Sequence, residues 1–395
     1  MVPHDPPAAR ELLRDFALRT GLDPHGGALP RRYLWTDAFA VSTLVALHAA
    51  DADRESLEAA LRLVDQVHST LGRHRPDGPR PGWLSGLDEA QGRTHPTARG
   101  LRIGKPLPER GPDEPLDEHL EWERDGQYFH YLTRWMQALA CVARVDPDGP
   151  HLRHAVELAR AAHAGFTVPG TGGAPPRMIW KASVDLTRPQ VASMGAQDPL
   201  DGLVTFRGLR AQALEAGWSA ADVGLDGAVA DMRAMCARRD WATPDPLGIG
   251  GLLTDALRLA RLGERDPADS ALVPRLLDGA ADGLAELVWS GQLHAPASRR
   301  LAFRELGLAI GLCALPRLAR LVAASHASAQ AELEARLESL RPFAPLAEAV
   351  VGFWTAEEHR AVESWHSHED INAVMLAASL VPEGVLDPCS PLPNR

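Results

Sequence analysis

The sequence predicts an all-α fold, an (α/α)6 toroid in which outer and inner helices alternate six times within one domain spanning residues 1–395. Ala, Leu, Arg and Glu dominate the chain, whereas runs of alternating β-branched and aromatic residues are scarce. Six segments are amphipathic with helical spacing, and six others are apolar on nearly every side. The two kinds alternate along the chain, which is the pattern of a toroid of helix pairs.

The amphipathic segments predict outer helices with one solvent-facing side. In the second of them, Leu57, Leu61 and Val64 repeat at helical spacing, while Glu58 and Arg62 face away. The predicted outer helices are Ala8–Arg19, Ser56–Leu71, Leu152–Phe166, Gly227–Arg238, Ser270–Trp289 and Ala329–Leu340.

The segments that are apolar on nearly every side predict inner helices, because a helix without a polar face must be buried against other helices. Glycines such as Gly250, Gly307 and Gly311 would each cost about 1 kcal/mol in an exposed helix, but they permit close approach between packed helices. The predicted inner helices are Asp37–Ala50, Gly126–Val142, Leu200–Ala213, Leu247–Leu262, Phe303–Leu315 and Ile371–Leu380.

Charge and composition exclude several classes of partner. The 395 residues carry a formal net charge of −11, whereas nucleic acids and anionic membranes call for a basic surface. The first ten residues lack the basic and apolar regions of a signal peptide, and no run of about 18 apolar residues is present. We therefore predict a cytoplasmic protein that binds neither nucleic acid nor membrane. The sequence leaves its oligomeric state open.

Sequence motifs for cofactors are also missing. There is no Walker loop, no dinucleotide-binding G-x-G-x-x-G after a strand, and no G-x-S-x-G elbow. The four cysteines are widely spaced without a C-x-x-C pair, which favours reduced packing residues over disulfides. We therefore predict a protein without a cofactor or a bound metal.

The connections that lead into the inner helices form one rim of the predicted fold. The two longest span residues 73–124 and 167–197, and long loops in compact domains are usually functional. Helix capping is one explanation for the acids at the starts of these helices, but it does not explain the accompanying tryptophans. Five of the six starts combine the two: Trp35 with Asp37, Trp122 with Asp125, Trp180 with Asp198, Trp241 with Asp245, and Trp365 with Asp370.

These helix starts carry a resemblance to a known superfamily. The segments Tyr33–Phe39, Asp125–His130 and Asp198–Gly202 in particular resemble those of six-hairpin glycosidase-like proteins, the (α/α)6 toroids that include glycoside hydrolases, unsaturated uronyl hydrolases and the N-acylglucosamine 2-epimerase group. The resemblance covers nearly the whole chain as architecture. It implies a sugar-binding cavity at the N-terminal ends of the inner helices, without specifying a reaction.

Carboxylates around such a cavity favour a glycoside hydrolase, which needs two carboxyl groups about 6.5 to 9.5 Å apart when water attacks directly. We expect Asp125 and Asp201 to be the acid and base, because both follow long loops and lie among polar residues. Capping of the helices remains the alternative for both. The remaining candidates for substrate binding are Trp35, Asp37, Lys105, Trp122, Gln127, Tyr128, His130, Trp180, Lys181, Asp198, Trp241, Asp245, Arg304, Glu305, His366, His368 and Asp370.

Two other classes of function stay open. A sugar epimerase or isomerase would use imidazoles for proton transfer, and His130, His366 and His368 are the histidines at helix starts. A sugar-binding or scaffold protein without catalysis would fill the cavity with side chains. His366 and His368 also invite a metal interpretation, but they lack a third ligand at motif spacing.

The two long rim loops are locally basic although the chain is acidic. The only lysines of the chain, Lys105 and Lys181, both lie in these loops. All other basic residues, apart from histidines, are arginines. An ammonium is a compact and flexible cation, unlike the planar guanidinium. We therefore expect an anionic or otherwise modified, acyl-bearing sugar as the ligand, such as a uronate or a sugar phosphate.

Overall fold

The computed structural model of the chain describes residues 4–23, 26–172, 174–237, 239–263, 271–324 and 330–387. Helices account for 65% of the structure and strands for 4%, which confirms the predicted all-α class. The described residues divide into two compact units: a 17–238 unit, and a 239–387 unit that also includes residues 4–16. The first helix, α1 (Pro6–Arg19), crosses this division.

The 17–238 unit contains three inner helices, each followed by an outer one. The inner helix α2 is buried at every residue from Leu34 to Leu47, whereas the outer helix α3 is buried along one face only, which includes Leu63 and Val67. Helix α6 packs against both α2 and α8. The helices are α2 (Leu34–Asp51), α3 (Arg54–Leu71), α4 (Glu89–Thr94), α5 (Glu118–Glu123), α6 (Phe129–Val145), α7 (His151–Phe166), α8 (Asp198–Glu215), α9 (Ala220–Val223) and α10 (Asp226–Cys236).

Short strands connect the two long rim loops to the start of α6. The strands are β1 (Gln127–Tyr128), β2 (Thr167–Val168), β3 (Arg177–Met178), β4 (Lys181–Ala182) and β5 (Pro189–Val191). Strand β4 lies between β1 and β5 in an antiparallel sheet that pairs Tyr128 with Lys181, and β2 pairs with β3. Ile103 of the first rim loop donates its N–H to Gly126 and accepts from the N–H of Leu34. The first rim loop therefore lies between the starts of α2 and α6.

The 239–387 unit also contains three inner helices, α11, α13 and α19. Glycines allow two of them to approach closely: a Cβ on Gly250 of α11 would lie 2.2 Å from the carbonyl oxygen of Gly307 in α13. Helix α13 also packs against α19. The helices are α11 (Pro246–Gly263), α12 (Val273–Trp289), α13 (Ala302–Leu312), α14 (Leu315–Ala324), α15 (Gln330–Leu340), α16 (Pro345–Thr355), α17 (Glu357–Arg360), α18 (Glu363–His366), α19 (Glu369–Leu380) and α20 (Glu383–Leu386).

The bounds of all six inner helices differ from the predicted ones by at most three residues. The predicted outer helices include Arg238, Ser270 and Ala329, which lie outside the described residues. The sixth outer position differs from the prediction, because α16 rather than α15 packs against the inner helices α13 and α19. Each of the two units supplies three inner helices. The total of six is the number of inner helices in an (α/α)6 toroid. The single-domain assignment stays a prediction.

One stretch of the described residues, Ala302–Ala324, is long and apolar enough to cross a membrane by length and composition. Of its most apolar window, 61% is buried inside the protein. Core helices of soluble proteins pass the same test, so this stretch is weak support for a membrane span.

Candidate functional site

All three tyrosines of the chain lie in one aromatic cluster at the starts of α2 and α6. The hydroxyls of Tyr33 and Tyr131 are 2.7 Å apart and share a hydrogen bond. The ring of Tyr131 contacts those of Tyr128 and His130, with centroids 5.2 and 4.9 Å away. We define the aromatic cluster as Tyr33, Trp35, Tyr128, His130, Tyr131 and Trp180.

The ring of His130 is nearly parallel to those of Tyr128 and Trp180, which are tilted by 38° from each other. His130 stacks on Tyr128 at 5.5 Å and 23°, and on Trp180 at 6.3 Å and 16°. The pairing of β1 with β4 holds Tyr128 beside Lys181 and therefore brings the neighbouring Trp180 to the start of α6. Tyr128 is buried, whereas His130 and Trp180 are partly exposed. Flat rings with one accessible side suit the apolar face of a sugar.

Three buried polar atoms beside these rings have no hydrogen-bond partner within the described part of the chain: Nδ1 of His130, Oδ2 of Asp198 and the hydroxyl of Tyr128. Nδ1 of His130 is 3.5 Å from Oδ1 of Asp198, the first residue of α8. Burial raises the pKa of Tyr128, so its hydroxyl stays protonated. Because buried polar groups are normally hydrogen-bonded, these three atoms mark a place where a ligand could supply the partner.

Asp125, the first predicted catalytic carboxylate, is fully buried and fully bonded. Its Oδ2 accepts from the guanidinium of Arg102, and its Oδ1 accepts from the N–H groups of Gly104 and Gly126 at 3.0 and 3.1 Å. These bonds hold the first rim loop to the start of α6. The catalytic role of Asp125 stays a prediction.

Asp201, the second predicted catalytic carboxylate, is 5% exposed in the first turn of α8. It accepts a hydrogen bond of 2.9 Å from Arg134 of α6, which also donates to Gln137. A glycosidase needs one carboxyl that carries a proton for the leaving group. Since both predicted carboxylates are bound to arginines, the hydrolase assignment finds no support in their geometry.

The side chains of Gln127 and Lys181 are also hydrogen-bonded to groups within the protein. The amide of Gln127 accepts from the N–H of Leu101 and donates to the carbonyls of Arg99 and Val184. The ammonium of Lys181 is fully buried and donates to Glu121 twice, through its carbonyl and its carboxylate, and to the carbonyl of Arg124, at 2.7 to 2.9 Å. All three of its N–H donors are used within the rim, and the contact of Lys181 with a ligand stays a prediction.

Lys105 has a different environment. Its ammonium lies 5.5 Å from the centroid of the Tyr33 ring and is partly exposed. Burial lowers the pKa of Lys105, while the charges of Glu123 and Asp125 oppose that shift. Burial also raises the pKa of Tyr33 to about 12. The lysine and the tyrosine therefore present an ammonium and a protonated hydroxyl at the same edge of the cluster.

The other candidates of the 17–238 unit divide by exposure. Trp122 is 54% exposed and meets Trp180 edge-on at 5.1 Å, which extends the aromatic surface outward. Trp35 is 5% exposed and packs on Phe39 at 4.4 Å. Asp37 is buried, accepts from the N–H of Tyr33 and pairs with Arg32, as a capping residue would.

The candidates in the first part of the 239–387 unit have mainly structural partners. Glu305 is buried and accepts from Arg300 and from the indole of Trp354 at 2.8 Å. Trp241 is 4% exposed, so it does not present a surface to a ligand as expected. Asp245 and Arg304 form a partly exposed ion pair of 2.7 Å, and Asp245 also caps the N–H of Gly248.

The last candidates lie near the start of α19. His366 and His368 are exposed, and the ring of His368 lies 5.8 Å from that of Phe303. Asp370 is partly buried in the first turn of α19. Within the described ranges, no group of three or more His, Cys, Asp or Glu side chains could hold a metal ion.

The sequence analysis missed Tyr33 and Tyr131 as parts of the site, and Arg102 and Arg134 as partners of the carboxylates. A signal for the tyrosines was present: the chain has only three, and all of them fall at the starts of predicted inner helices. The arginines gave no comparable signal, because they are 23 and 67 residues away from the acids they bind.

No protein family and no curated protein matches the sequence. Among solved structures, the chain is similar to a cellobiose 2-epimerase from Bacillus thermoamylovorans B4167, with 10% identity over 85% of this chain and 86% of that one and a TM-score of 0.46. It is also similar to a D-mannose isomerase, with 11% identity over 85% of each chain and a TM-score of 0.42. Similarity at this level gives no residue of this chain a role.

Proposed function

We propose that the chain is a carbohydrate-active enzyme that moves a proton at a carbon next to a sugar carbonyl, the chemistry of sugar isomerases and epimerases. One observation carries the proposal. An imidazole, a carboxylate and a phenol, those of His130, Asp198 and Tyr128, each have a buried polar atom without a partner among the described residues, where the ring of His130 stacks on those of Tyr128 and Trp180.

The stack supplies the binding surface in this proposal. Trp180 and His130 are partly exposed and nearly parallel, so a pyranose or an extended sugar chain can lie against them with its C–H groups. The exposed Trp122 continues this surface beyond Trp180. A sugar bound there would place its oxygens near the unpartnered polar atoms.

His130 is the proposed general base. It would take the proton from the carbon next to the carbonyl, and the C–H electrons would form an enediolate. Asp198, at 3.5 Å, would stabilise the resulting imidazolium, and the protonated hydroxyl of Tyr128 would donate to a substrate oxygen. Return of the proton to the former carbonyl carbon, with transfer of the hydroxyl proton of the deprotonated carbon to the other enediolate oxygen, gives the aldose–ketose isomer. Return of a proton to the opposite face of the deprotonated carbon gives the epimer.

This proposal takes the place of the hydrolase assignment because of how the acids are bonded. Asp125 and Asp201 each accept a hydrogen bond from an arginine, whereas Asp198 retains an oxygen without a partner among the described residues, next to an imidazole. A sugar-binding protein without catalysis is the competing proposal, since the aromatic cluster alone would serve it.

Exchange of the sugar proton in D2O tests the proposal directly. Mannose, glucose and cellobiose would be incubated with the protein, and deuterium at the carbon next to the carbonyl would be measured by NMR. General acid–base catalysis contributes about a hundredfold to ten-thousandfold, so His130→Asn should slow exchange by at least about a hundredfold. The control is His119→Asn, an exposed histidine of the first rim loop, which should exchange at the parental rate.

Three results would contradict the proposal. Exchange that survives His130→Asn would exclude that residue as the base. Sugar binding without exchange in the parent protein would favour the competing proposal of a binding protein. Release of reducing sugar from a glycoside, lost on Asp125→Asn and kept on His130→Asn, would restore the hydrolase assignment.

A further inference from the structure

We propose that Lys105 binds a negatively charged group of the substrate, so that the sugar is a uronate or a sugar phosphate. The inference rests on the proposed function, because it concerns the far end of the same ligand. It is carried by the contrast between Lys105 and the other cations of the first rim loop.

Every arginine of residues 73–124 donates from its guanidinium to an acceptor in the protein. Among the described residues the ammonium of Lys105 donates to none, and no carboxylate lies within ion-pair distance of it. The eight arginines are Arg73, Arg75, Arg80, Arg93, Arg99, Arg102, Arg110 and Arg124. In this loop the cations that hold the protein together are arginines, and the lysine is left for another partner.

The backbone of Lys105 is nevertheless fixed. Its carbonyl accepts a hydrogen bond of 2.7 Å from Arg75, and its N–H points to Oδ1 of Asp125 at 3.4 Å. The preceding Gly104 has a φ of +93°, and a Cβ there would lie 2.2 Å from the carbonyl oxygen of Arg32. An anchored backbone with an unpaired cationic head group is pre-organised for a ligand, since little further ordering is needed on binding.

The position of Lys105 links it to the proposed site. Its ammonium lies over the ring of Tyr33, whose hydroxyl is bonded to that of Tyr131. The ring of Tyr131 in turn contacts His130. Lys105 therefore contacts Tyr33, and His130 contacts Tyr131, the hydrogen-bonded partner of Tyr33. One sugar could place its charged group at Lys105 and its carbonyl carbon at His130.

The charges near Lys105 leave room for an anion. The carboxylate of Asp125 is paired with the guanidinium of Arg102, and the guanidinium of Arg75 also lies 3.9 Å from its Oδ2. The carboxylate of Glu123 is exposed to solvent. Burial disfavours the charged form of Lys105, and a bound carboxylate or phosphate would favour it again. A compact ammonium suits either group as a point charge, without the paired geometry that a guanidinium imposes.

Acylation of lysine provides a direct test, because the chain has only two lysines and Lys181 is fully buried. The rate of acetylation at Lys105 by an activated ester would be followed by mass spectrometry of peptides. Glucuronate, glucose 6-phosphate, glucose and inorganic phosphate would be compared as protecting ligands. We expect the two anionic sugars to protect at concentrations about tenfold or more below those of glucose and of phosphate, since a charge-assisted bond contributes about tenfold to a hundredfold.

Substitutions complete the test. Lys105→Met should remove the preference for anionic over neutral sugars in equilibrium binding, and Lys105→Arg should retain part of it. The matched control is Arg93→Met, which removes one positive charge from the same loop at a side chain that is 72% exposed. It should keep the full preference.

The outcomes separate this inference from the proposed function. Equal protection by all four ligands, or an unchanged preference in Lys105→Met, overturns the anionic site, while proton exchange at His130 could still be present. Protection by anionic sugars without any proton exchange supports the anionic site and rejects the proposed reaction. Protection by inorganic phosphate as strong as that by glucose 6-phosphate would overturn the sugar as the ligand of Lys105.

Discussion

The 17–238 unit should lose stability in mild acid because of two buried histidines. His68 of α3 and His154 of α7 have ring centroids 5.2 Å apart, and both are 5% exposed. His68 accepts a hydrogen bond of 3.2 Å from the indole of Trp135, and a proton on that nitrogen would place donor against donor. Nε2 of His154 is hydrogen-bonded to the carbonyl oxygen of Thr94. Because a carbonyl can only accept, Nε2 carries the hydrogen and donates it.

The pKa values give the direction and the size of the effect. Burial, followed by the neighbouring His154 and His151, lowers the pKa of His68 well below 6.5. Burial also lowers the pKa of His154 from 6.5 to about 4, which the carbonyl of Thr94 partly opposes. Both histidines therefore take up protons more readily in the unfolded chain, so their stabilisation is present above the unfolded pKa and is lost as the pH falls below it.

At 1.36 kcal/mol per pKa unit, His154 alone should cost roughly 2 kcal/mol between about pH 7.5 and about pH 5. His68 should add to this loss in the same direction. The free energy of unfolding would be measured by urea denaturation, followed by tryptophan fluorescence, across this range. The increase in cost should continue until the pH approaches the folded pKa of His154, which is about 4.

Two substitutions isolate the cause. His68→Gln can still accept from the indole of Trp135, and His154→Gln can still donate to the carbonyl of Thr94, but neither side chain titrates. The double variant should lose less than the parent over the same range by more than roughly 2 kcal/mol, since neither histidine then titrates, whereas His119→Gln, an exposed control, should behave like the parent. An equal loss in the double variant and the parent would refute the reasoning.

Two further predictions concern the rim and the inner helices. Arg102→Met should cost about 3 to 5 kcal/mol in urea denaturation, because it leaves the buried Asp125 without its cation. Adding Asp125→Asn should recover part of that loss, and full additivity of the two changes would count against the ion pair. Gly250→Ala should lower the melting temperature measured by circular dichroism, since its Cβ would meet the carbonyl of Gly307 at 2.2 Å. Gly352→Ala, in a helix with nothing within 4 Å of the added Cβ, should raise it slightly, and the opposite order would contradict the packing.

The helices were predictable from the sequence because the burial of a helix determines which of its own residues are apolar. A helix such as α2, buried from Leu34 to Leu47, has no polar face, and this is visible without any knowledge of its partners. Helix α16 escaped the prediction although Ala347, Val350, Val351 and Trp354 face inward at helical spacing.

The site was less predictable, because the starts of inner helices look alike in sequence whether their acids cap, bind or react. Asp125 precedes an inner helix, and Asp198 and Asp201 lie in the first turn of another. They differ in what approaches them in space: arginines reach the first two, and an imidazole reaches the third. These partners come from other segments, so no local pattern distinguishes a carboxylate that is held from one that is available.

Lysine usage shows how far composition alone could go. The restriction of lysine to the rim loops correctly marked Lys105 and Lys181 as unusual, but it gave both the same role. The structure separates them by desolvation: Lys181 exchanges water for three protein acceptors, whereas Lys105 loses part of its water and gains an aromatic face. The ammonium of Lys181 already has three acceptors within the protein. The ammonium of Lys105 contacts a ring but has no acceptor among the described residues, so a bound anion would stabilise it further. The same difference applies to the carboxylates, because Asp198, on which the proposed chemistry depends, keeps an oxygen without a partner among the described residues.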